Sequence, residues 1–173
     1  EVRRRYLGEM QKHGLWFLDC VNNVFPGFSR TECVAESLPG APEKLDSQEL
    51  VDQYLTRLAQ SMREVPGHLG WYVMDEREFG DAPRQFHQYA TLRAADPDHP
   101  TFGVSNRPFE LPFWRDVVDV LGMDPYPLMN MKAGQPLTLA ADWARAAVEG
   151  THGSRPVWMV MQFFQGWSTD RWP

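Results

Sequence analysis

Three carboxylates at the ends of apolar runs are the residues of this chain best placed for acid–base chemistry. Asp75 and Glu76 directly follow the apolar run 68–74, and Asp124 follows the shorter run 120–123. Two carboxyl groups can act as general acid and general base when their surroundings hold their pKa values apart. The pattern therefore makes these three carboxylates candidates for an acid–base site, with Glu76 and Asp124 as one candidate pair.

Each of these carboxylates also has a simpler interpretation. Glu76 fits a solvated loop carboxylate, and Asp124 begins the sequence Asp-Pro-Tyr-Pro, where its side chain can accept backbone N–H bonds of a turn. Asp75 and Glu76 form a second candidate pair. Adjacent strand residues point to opposite faces, however, so only one of the two enters a site unless the strand has already ended.

Helical and strand-like segments alternate along the chain, which is typical of an α/β protein with a parallel sheet. Neither a GxGxxG nor a GxxxxGK[ST] turn follows a strand-like run, which disfavours a doubly wound nucleotide-binding sheet. The pattern predicts an α/β fold, a partial TIM (β/α)8 barrel with about five parallel strands and intervening helices. The strand-like runs lie at residues 15–18, 68–74, 101–106, 119–124 and 156–164.

The length of the chain predicts an incomplete barrel. A whole (β/α)8 barrel usually needs about 250 residues, whereas this chain has 173. No second domain is indicated, so we expect residues 1–173 to form a single incomplete barrel domain. Missing strands leave two open edges in the sheet, which predicts self-association through those edges.

Charge and composition exclude several classes of partner. The net charge is −6, and no basic stripe is present to displace counterions from phosphates, so nucleic acid is not expected. No apolar run approaches the roughly 18 residues of a membrane span, so no membrane partner is expected. Cys20 and Cys33 lack CxxC spacing and indicate structural thiols or, in an oxidising compartment, one disulfide. The compartment stays open, with secreted and periplasmic locations both compatible.

No metal or cofactor is expected from the motifs. The histidines show neither HxH nor HExxH spacing, which disfavours a metal-dependent hydrolase. The GxSxG elbow of serine esterases is also absent from the sequence. The histidines are His13, His68, His87, His99 and His152.

Four segments carry a family resemblance when they are taken together: 69–76 (LGWYVMDE), 95–100 (ADPDHP), 120–127 (VLGMDPYP) and 156–162 (PVWMVMQ). Their order and spacing resemble bacterial glycoside-hydrolase-like (β/α)8 barrels related to the β-galactosidase and cellulase clan. The resemblance implies that the chain runs from about the second helix to the seventh strand of such a barrel. It also implies a glycoside hydrolase that acts on O-glycosidic bonds of a carbohydrate substrate.

The resemblance assigns roles to individual residues. The glutamate that ends the fourth strand of such barrels is the general acid/base, which corresponds to Glu76, with Asp75 beside it and Arg77 where the family usually has proline. The nucleophile of the clan is a glutamate that ends the seventh strand, and the matching position is Gln162. An amide cannot attack an anomeric carbon. Asp124 is then the partner carboxylate of Glu76.

The distance between the two carboxyls decides the stereochemistry of hydrolysis. It is about 5–5.5 Å in retaining and about 6.5–9.5 Å in inverting glycosidases. Glu76 and Asp124 end strands that face each other across a barrel mouth, so they can flank one sugar ring. Asp75 with Glu76 would instead match substrate-assisted hydrolases. Gln162 motivates an alternative function, a non-catalytic saccharide-binding barrel.

Aromatic and polar residues near the strand ends are the candidates for substrate binding. Aromatic rings stack on the C–H faces of sugars, although core packing is the default for each ring. Asparagine, aspartate and glutamine bind hydroxyl groups or, alternatively, cap loops. The predicted substrate-binding residues are Asp19, Trp71, Asp75, Asn106, Tyr126, Gln162 and Trp167.

Overall fold

The computed structural model describes residues 2–29, 44–126 and 138–161. Its strands are β1 (Phe17–Cys20), β2 (Phe28–Ser29), β3 (Lys44–Leu45), β4 (His68–Asp75), β5 (Thr101–Ser105), β6 (Val120–Met123) and β7 (Val157–Met159). Its helices are α1 (Val2–Lys12), α2 (Gln48–Met62), α3 (Ala82–Ala95), α4 (Leu111–Trp114) and α5 (Leu139–Gly150). Single 3₁₀ turns precede α3 at Phe79–Asp81 and α4 at Pro108–Glu110.

Five strands form one parallel sheet in the order β1-β4-β5-β6-β7, and β2 and β3 form a separate antiparallel ribbon. A doubly wound sheet reverses its strand order at a switch point, whereas barrel strands follow one another in chain order. The order in the described part of the chain shows no reversal. The prediction of a partial α/β barrel with about five parallel strands is confirmed.

The two faces of the sheet differ in what covers them. One face packs against the helices, and its buried core includes Val73 and Leu121 of the strands together with Leu55 of α2 and Leu92 of α3. The other face carries a small apolar cluster of residues from the strands and from positions next to them. Among the described residues, no helix residue belongs to this cluster. In a complete barrel this inner face is the packed interior. The cluster consists of Leu18, Tyr72, Phe102, Val104, Val120 and Val160.

Local sequence signals explain where the elements begin and end. The Ser47 hydroxyl accepts a hydrogen bond from the Leu50 backbone N–H at 3.2 Å and so caps α2. Pro83 lies in the first turn of α3, where its missing backbone N–H would have no partner within the helix. Pro97 prevents α3 from continuing past Ala95. None of the described helices is both long and apolar enough to cross a membrane.

A register shift in β4 changes which of its side chains face inward. Tyr72 pairs with Phe102 of β5 and Asp75 pairs with Val104, and the shift lies between Tyr72 and Met74. Such bulges re-aim side chains because one strand has an extra residue. Tyr72 and Asp75, three positions apart, therefore both face the inner side of the sheet.

Candidate active site

A cleft of about 300 Å³ lies on the inner face of the sheet, near the C-terminal ends of the strands. Active sites of (β/α)8 barrels lie at this end, because the βα loops meet there. The floor is apolar and the rim is acidic. The lining residues described are Leu18, Tyr72, Asp75, Phe102, Val104, Asp124, Tyr126 and Val160.

A row of aromatic rings forms the floor of the cleft. The ring centroids of Tyr72 and Phe102 are 5.6 Å apart, and those of Phe102 and Trp158 are 5.2 Å apart. Gly122 makes this row fit, because a Cβ at that position would lie 2.7 Å from Cζ of Phe102. The row places charged groups at the rim against a surface of low polarity.

Asp124 is the buried carboxyl of the rim. It is only 3% exposed, and the Tyr126 hydroxyl donates to its Oδ2 at 2.8 Å. Burial, a side-chain hydrogen bond with Glu76 and the negative charge of Glu76 together raise the pKa of Asp124 to about 7, although the Tyr126 hydrogen bond opposes the shift. Asp124 is therefore a carboxyl that exchanges its proton near neutral pH.

The side chains of Glu76 and Asp124 interact, and this interaction raises the pKa of Asp124. An ionised carboxylate is only an acceptor, so two carboxyl groups form a hydrogen bond when one of them is protonated. Oδ1 of Asp124 is buried and receives no hydrogen bond from an N–H or hydroxyl group of the described residues. When Asp124 holds its proton, its carboxyl group can therefore donate a hydrogen bond to the Glu76 side chain.

The backbone at Glu76 brings its side chain to this position. β4 ends at Asp75, and Glu76 adopts the left-handed region with φ of 49°, which non-glycine residues seldom occupy. Its backbone N–H still donates to the Val104 carbonyl at 2.9 Å. Because the strand has ended, the alternation of faces no longer applies. Asp75 lines the cleft and Glu76 reaches Asp124.

Two tyrosines connect to the acidic rim. Burial raises the pKa of Tyr72 well above its ordinary value, and a hydrogen bond with Asp75 adds to the shift. Burial, and then the hydrogen bond to Asp124, likewise raises the pKa of Tyr126. Both phenols therefore stay protonated and act as hydrogen-bond donors to a carboxylate. Tyr126 and Asp75, which the sequence predicted as binding residues, both line the cleft.

Trp71 is a correction to the predicted set of binding residues. Its side chain is fully buried, and its indole N–H donates to Oδ2 of Asp96 at 3.0 Å. Trp71 packs within the core between the sheet and the helices, because it lies on the opposite face of β4 from Tyr72. It cannot stack on a ligand in the cleft. Tyr72 has that position instead and was missing from the predicted set.

Two other predicted residues, Asp19 and Asn106, do not line the cleft. Asp19 pairs in register with Trp71 and is buried, so it also lies away from the cleft. Asn106 follows β5, is partly exposed and does not line the cleft. Gln162 and Trp167 lie outside the described residues, and their roles stay predictions.

One group of residues in the described part of the chain has the arrangement of metal ligands: His68, Asp96 and His99. The group lies at the N-terminal ends of β4 and β5, away from the cleft. Its members come from segments almost thirty positions apart, so no short spacing motif reveals it. The sequence-based expectation of no metal considered only such motifs.

Comparisons with known proteins find similarity only at the level of structure. No protein-family model and no curated protein matches the chain. Solved structures that match include a β-D-glucuronidase from Dictyoglomus thermophilum, with 15% identity, a TM-score of 0.57, and coverage of 96% of this chain and 30% of that chain. A β-glucuronidase from an uncultured Clostridium sp. has 16% identity, a TM-score of 0.54, and coverage of 89% and 26%.

A third solved structure is the GH2 β-galacturonidase from Eisenbergiella tayi bound to galacturonate. It has 14% identity and a TM-score of 0.52, and the match covers 88% of this chain and 26% of that chain. The chain thus spans only between 26% and 30% of the length of these three proteins. The chain therefore has the fold of part of these three proteins, which confirms the predicted resemblance at the level of fold.

Proposed function

We propose that this chain carries the acid–base site of a glycoside hydrolase that acts on O-glycosidic bonds, with Glu76 and Asp124 as its catalytic pair. One observation carries the proposal. A buried carboxyl with a pKa of about 7 is hydrogen-bonded to a second carboxyl at the C-terminal end of barrel strands. Pairs of this kind supply the acid and the base for glycoside hydrolysis.

The electrostatics of the pair support a division of roles. Asp124 holds a proton near neutral pH, so it suits protonation of the glycosidic oxygen as the bond breaks. The Glu76 carboxylate then stabilises the positive charge that develops at the anomeric carbon, or attacks it. This assignment reverses the roles that the family resemblance implies. It does not require a carboxylate at Gln162.

The closeness of the pair supports retention of configuration. Inverting glycosidases hold their carboxyls about 6.5–9.5 Å apart to leave room for water, whereas retaining enzymes hold them about 5–5.5 Å apart. The interaction between the side chains of Glu76 and Asp124 favours the shorter of these two separations. We therefore propose that hydrolysis proceeds by two displacements, with a covalent or tightly stabilised glycosyl intermediate.

The shape of the cleft supports a small substrate unit. Its volume of about 300 Å³ is at the lower end of the usual range for small-molecule sites, which suits one sugar ring above the aromatic floor. The structurally similar proteins are a β-galacturonidase and β-glucuronidases. Aryl β-galacturonides, β-glucuronides and uncharged β-galactosides are therefore the first substrates to test.

Substitution of each carboxyl tests the proposal. In E76Q and D124N we expect kcat/KM to fall about 10²–10⁴-fold, the usual contribution of a positioned acid or base. Glu78→Gln is the matched control, because Glu78 is an exposed carboxylate near Glu76 that pairs with Arg107. Full activity in both E76Q and D124N would contradict the proposal.

Leaving-group chemistry separates the roles of the two carboxyls. A nitrophenolate leaving group needs little protonation, so D124N should lose far less rate on nitrophenyl glycosides than on alkyl glycosides. E76Q should lose a similar factor on both, because the Glu76 carboxylate acts at the anomeric carbon. If E76Q instead loses far less rate on nitrophenyl than on alkyl glycosides, and D124N loses a similar factor on both, Glu76 is the general acid/base.

A non-catalytic saccharide-binding barrel is the second candidate function, favoured by Gln162 where the related clan has a glutamate. It predicts sugar binding by calorimetry without turnover in the unsubstituted protein. Restoration of a carboxylate by Gln162→Glu should then create activity. Turnover by the unsubstituted chain that depends on Asp124 would exclude this candidate.

A further inference from the structure

Two histidines and one aspartate from separate segments converge at the N-terminal end of the sheet. His68 is the first residue of β4, Asp96 follows the last residue of α3, and His99 lies two positions before β5. One potential ligand atom of each residue lies within 4.8 Å of the others. Asp96 is fully buried, His68 is 3% exposed and the His99 side chain is 19% exposed. The cluster is therefore closed except at His99.

The backbone holds this cluster in place. The Trp71 backbone N–H donates to the Pro100 carbonyl at 2.9 Å, which fastens the segment 96–100 to β4. Gly70 permits the approach, because a Cβ there would lie 2.2 Å from the Pro100 carbonyl oxygen. Proline rings at 97 and 100 fix two backbone angles of the same segment. The three side chains are thus positioned before any ligand arrives.

The distances within the cluster suit adjacent metal ligands. Nδ1 of His99 lies 3.0 Å from Oδ1 and 2.9 Å from Oδ2 of Asp96, and the ring centroids of His68 and His99 are 4.5 Å apart. Two ligand atoms that are each about 2.1 Å from one ion lie roughly 3–3.4 Å apart in octahedral or tetrahedral geometry. Asp96 and His99 therefore have the spacing of two ligands of one ion, and a potential ligand atom of His68 lies within 4.8 Å of theirs.

The surroundings of Asp96 also match those of a ligating carboxylate. The Trp71 indole N–H donates to Oδ2 at 3.0 Å, and this donor fixes the orientation of the carboxylate. Hydrogen bonds of this kind to metal ligands tune affinity by about 10–100-fold. The same indole forms an edge contact with the His68 ring, at 4.6 Å between centroids. Trp71 thus orients two of the three candidate ligands.

We propose that His68, Asp96 and His99 bind one divalent transition-metal ion of the zinc class. Two imidazoles and one carboxylate form a donor set that favours Zn²⁺ and Co²⁺ over Mg²⁺ or Ca²⁺. A water molecule completes the coordination on the side where His99 reaches solvent. The ion links the start of β4 to the segment between α3 and β5.

This site is separate from the carboxyl cleft. His68 and Asp75 are the two ends of β4, and seven steps of about 3.3 Å place them roughly 23 Å apart. An ion at this distance takes no part in acid–base chemistry at Asp124. Its effect is on stability, because a ligand that binds only the folded state raises the free energy of unfolding.

Cobalt binding by the tag-free chain tests the proposal. Equilibrium dialysis with Co²⁺, followed by elemental analysis, should find one ion per chain, with visible absorption bands that Zn²⁺ abolishes. In His99→Gln the Kd for Co²⁺ should rise at least about tenfold. His87→Gln is the matched control, because His87 is a more exposed histidine that pairs with Asp52, and it should bind Co²⁺ like the unsubstituted chain.

A measurement on the unsubstituted protein removes the dependence on how the variants fold. Paramagnetic Co²⁺ should broaden the imidazole resonances of His68 and His99 at one equivalent and leave those of His87 and His152 sharp. Absence of stoichiometric binding would overturn the proposal. Broadening centred on other histidines, or equal affinity of the His99 and His87 variants, would also overturn it.

Discussion

Asp124→Asn is expected to remove a pH-dependent loss of stability. Burial and then the contact with Glu76 raise the pKa of Asp124 to about 7 in the folded protein, whereas an aspartate in the unfolded chain titrates near about 3.9. Between these values the folded state holds a proton that the unfolded chain has lost. The free energy of unfolding therefore falls as pH rises through this window.

The size of this effect follows from the separation of the two pKa values. Each pH unit between them lowers the free energy of unfolding by about 1.4 kcal/mol, so the loss between pH 5 and pH 8 is about 3 kcal/mol. D124N keeps the shape of the side chain and has no such group. Its stability relative to the unsubstituted chain should therefore improve by about 3 kcal/mol from pH 5 to pH 8.

Urea unfolding at both pH values measures this difference. Contributions from titrating groups that do not interact with Asp124 cancel, because they are common to both proteins, and equal m-values would show that the same surface is exposed. Parallel curves of stability against pH for the unsubstituted chain and D124N would refute the reasoning. They would mean that Asp124 is already ionised in the folded protein at pH 5.

Two further changes probe the floor and the rim of the cleft. Gly122→Ala places a Cβ 2.7 Å from Cζ of Phe102, so urea unfolding should show a free energy of unfolding lower by about 1–3 kcal/mol because of overpacking. Gly80 has open space around it, so Gly80→Ala is the control and should lower the free energy of unfolding much less. Equal losses in the two variants would contradict the packing of Gly122 against Phe102. Tyr126→Phe removes a hydrogen bond that favours ionised Asp124, so the pKa of Asp124 should rise. The alkaline limb of the plot of kcat/KM against pH should then move to higher pH. If this limb does not move, Asp124 is not the proton donor.

The sheet could be predicted because its signals are local. Apolar runs that alternate with helical stripes indicate a parallel sheet whatever their partners are. The position of Asp124 after β6 and of Glu76 after β4 follows from the same runs. Parallel strands bring their C-terminal ends to one edge, so two carboxyls after strands were expected near each other.

The faces of β4 could not be predicted from alternation. The register shift between Tyr72 and Met74 depends on pairing with β5, which the β4 sequence alone does not contain. The left-handed backbone conformation of Glu76 could not be predicted either, because nothing in the residue type glutamate requires that conformation. The register shift determines which side chains of β4 line the cleft together with Asp75, and the backbone at Glu76 determines where its carboxylate lies.

The histidine cluster was missed for a different reason. Its members meet because the segment 96–100 packs against β4 at Gly70, a contact between distant parts of the chain. Spacing motifs detect ligands only when one short element carries them. Asp96 and His99 are three positions apart in the sequence, but the sequence does not indicate that His68 lies next to them.

The proposed chemistry rests on the proton that Asp124 holds near neutral pH, and an NMR titration of the Asp124 side-chain carboxyl carbon tests it most directly. We expect a pKa near 7 for Asp124 in the unsubstituted chain. In Glu76→Gln this pKa should fall, because the charge of Glu76 is gone, yet stay above the ordinary aspartate value, because burial is its largest cause. A pKa near about 4 in the unsubstituted chain, or the same pKa in both proteins, would contradict the account.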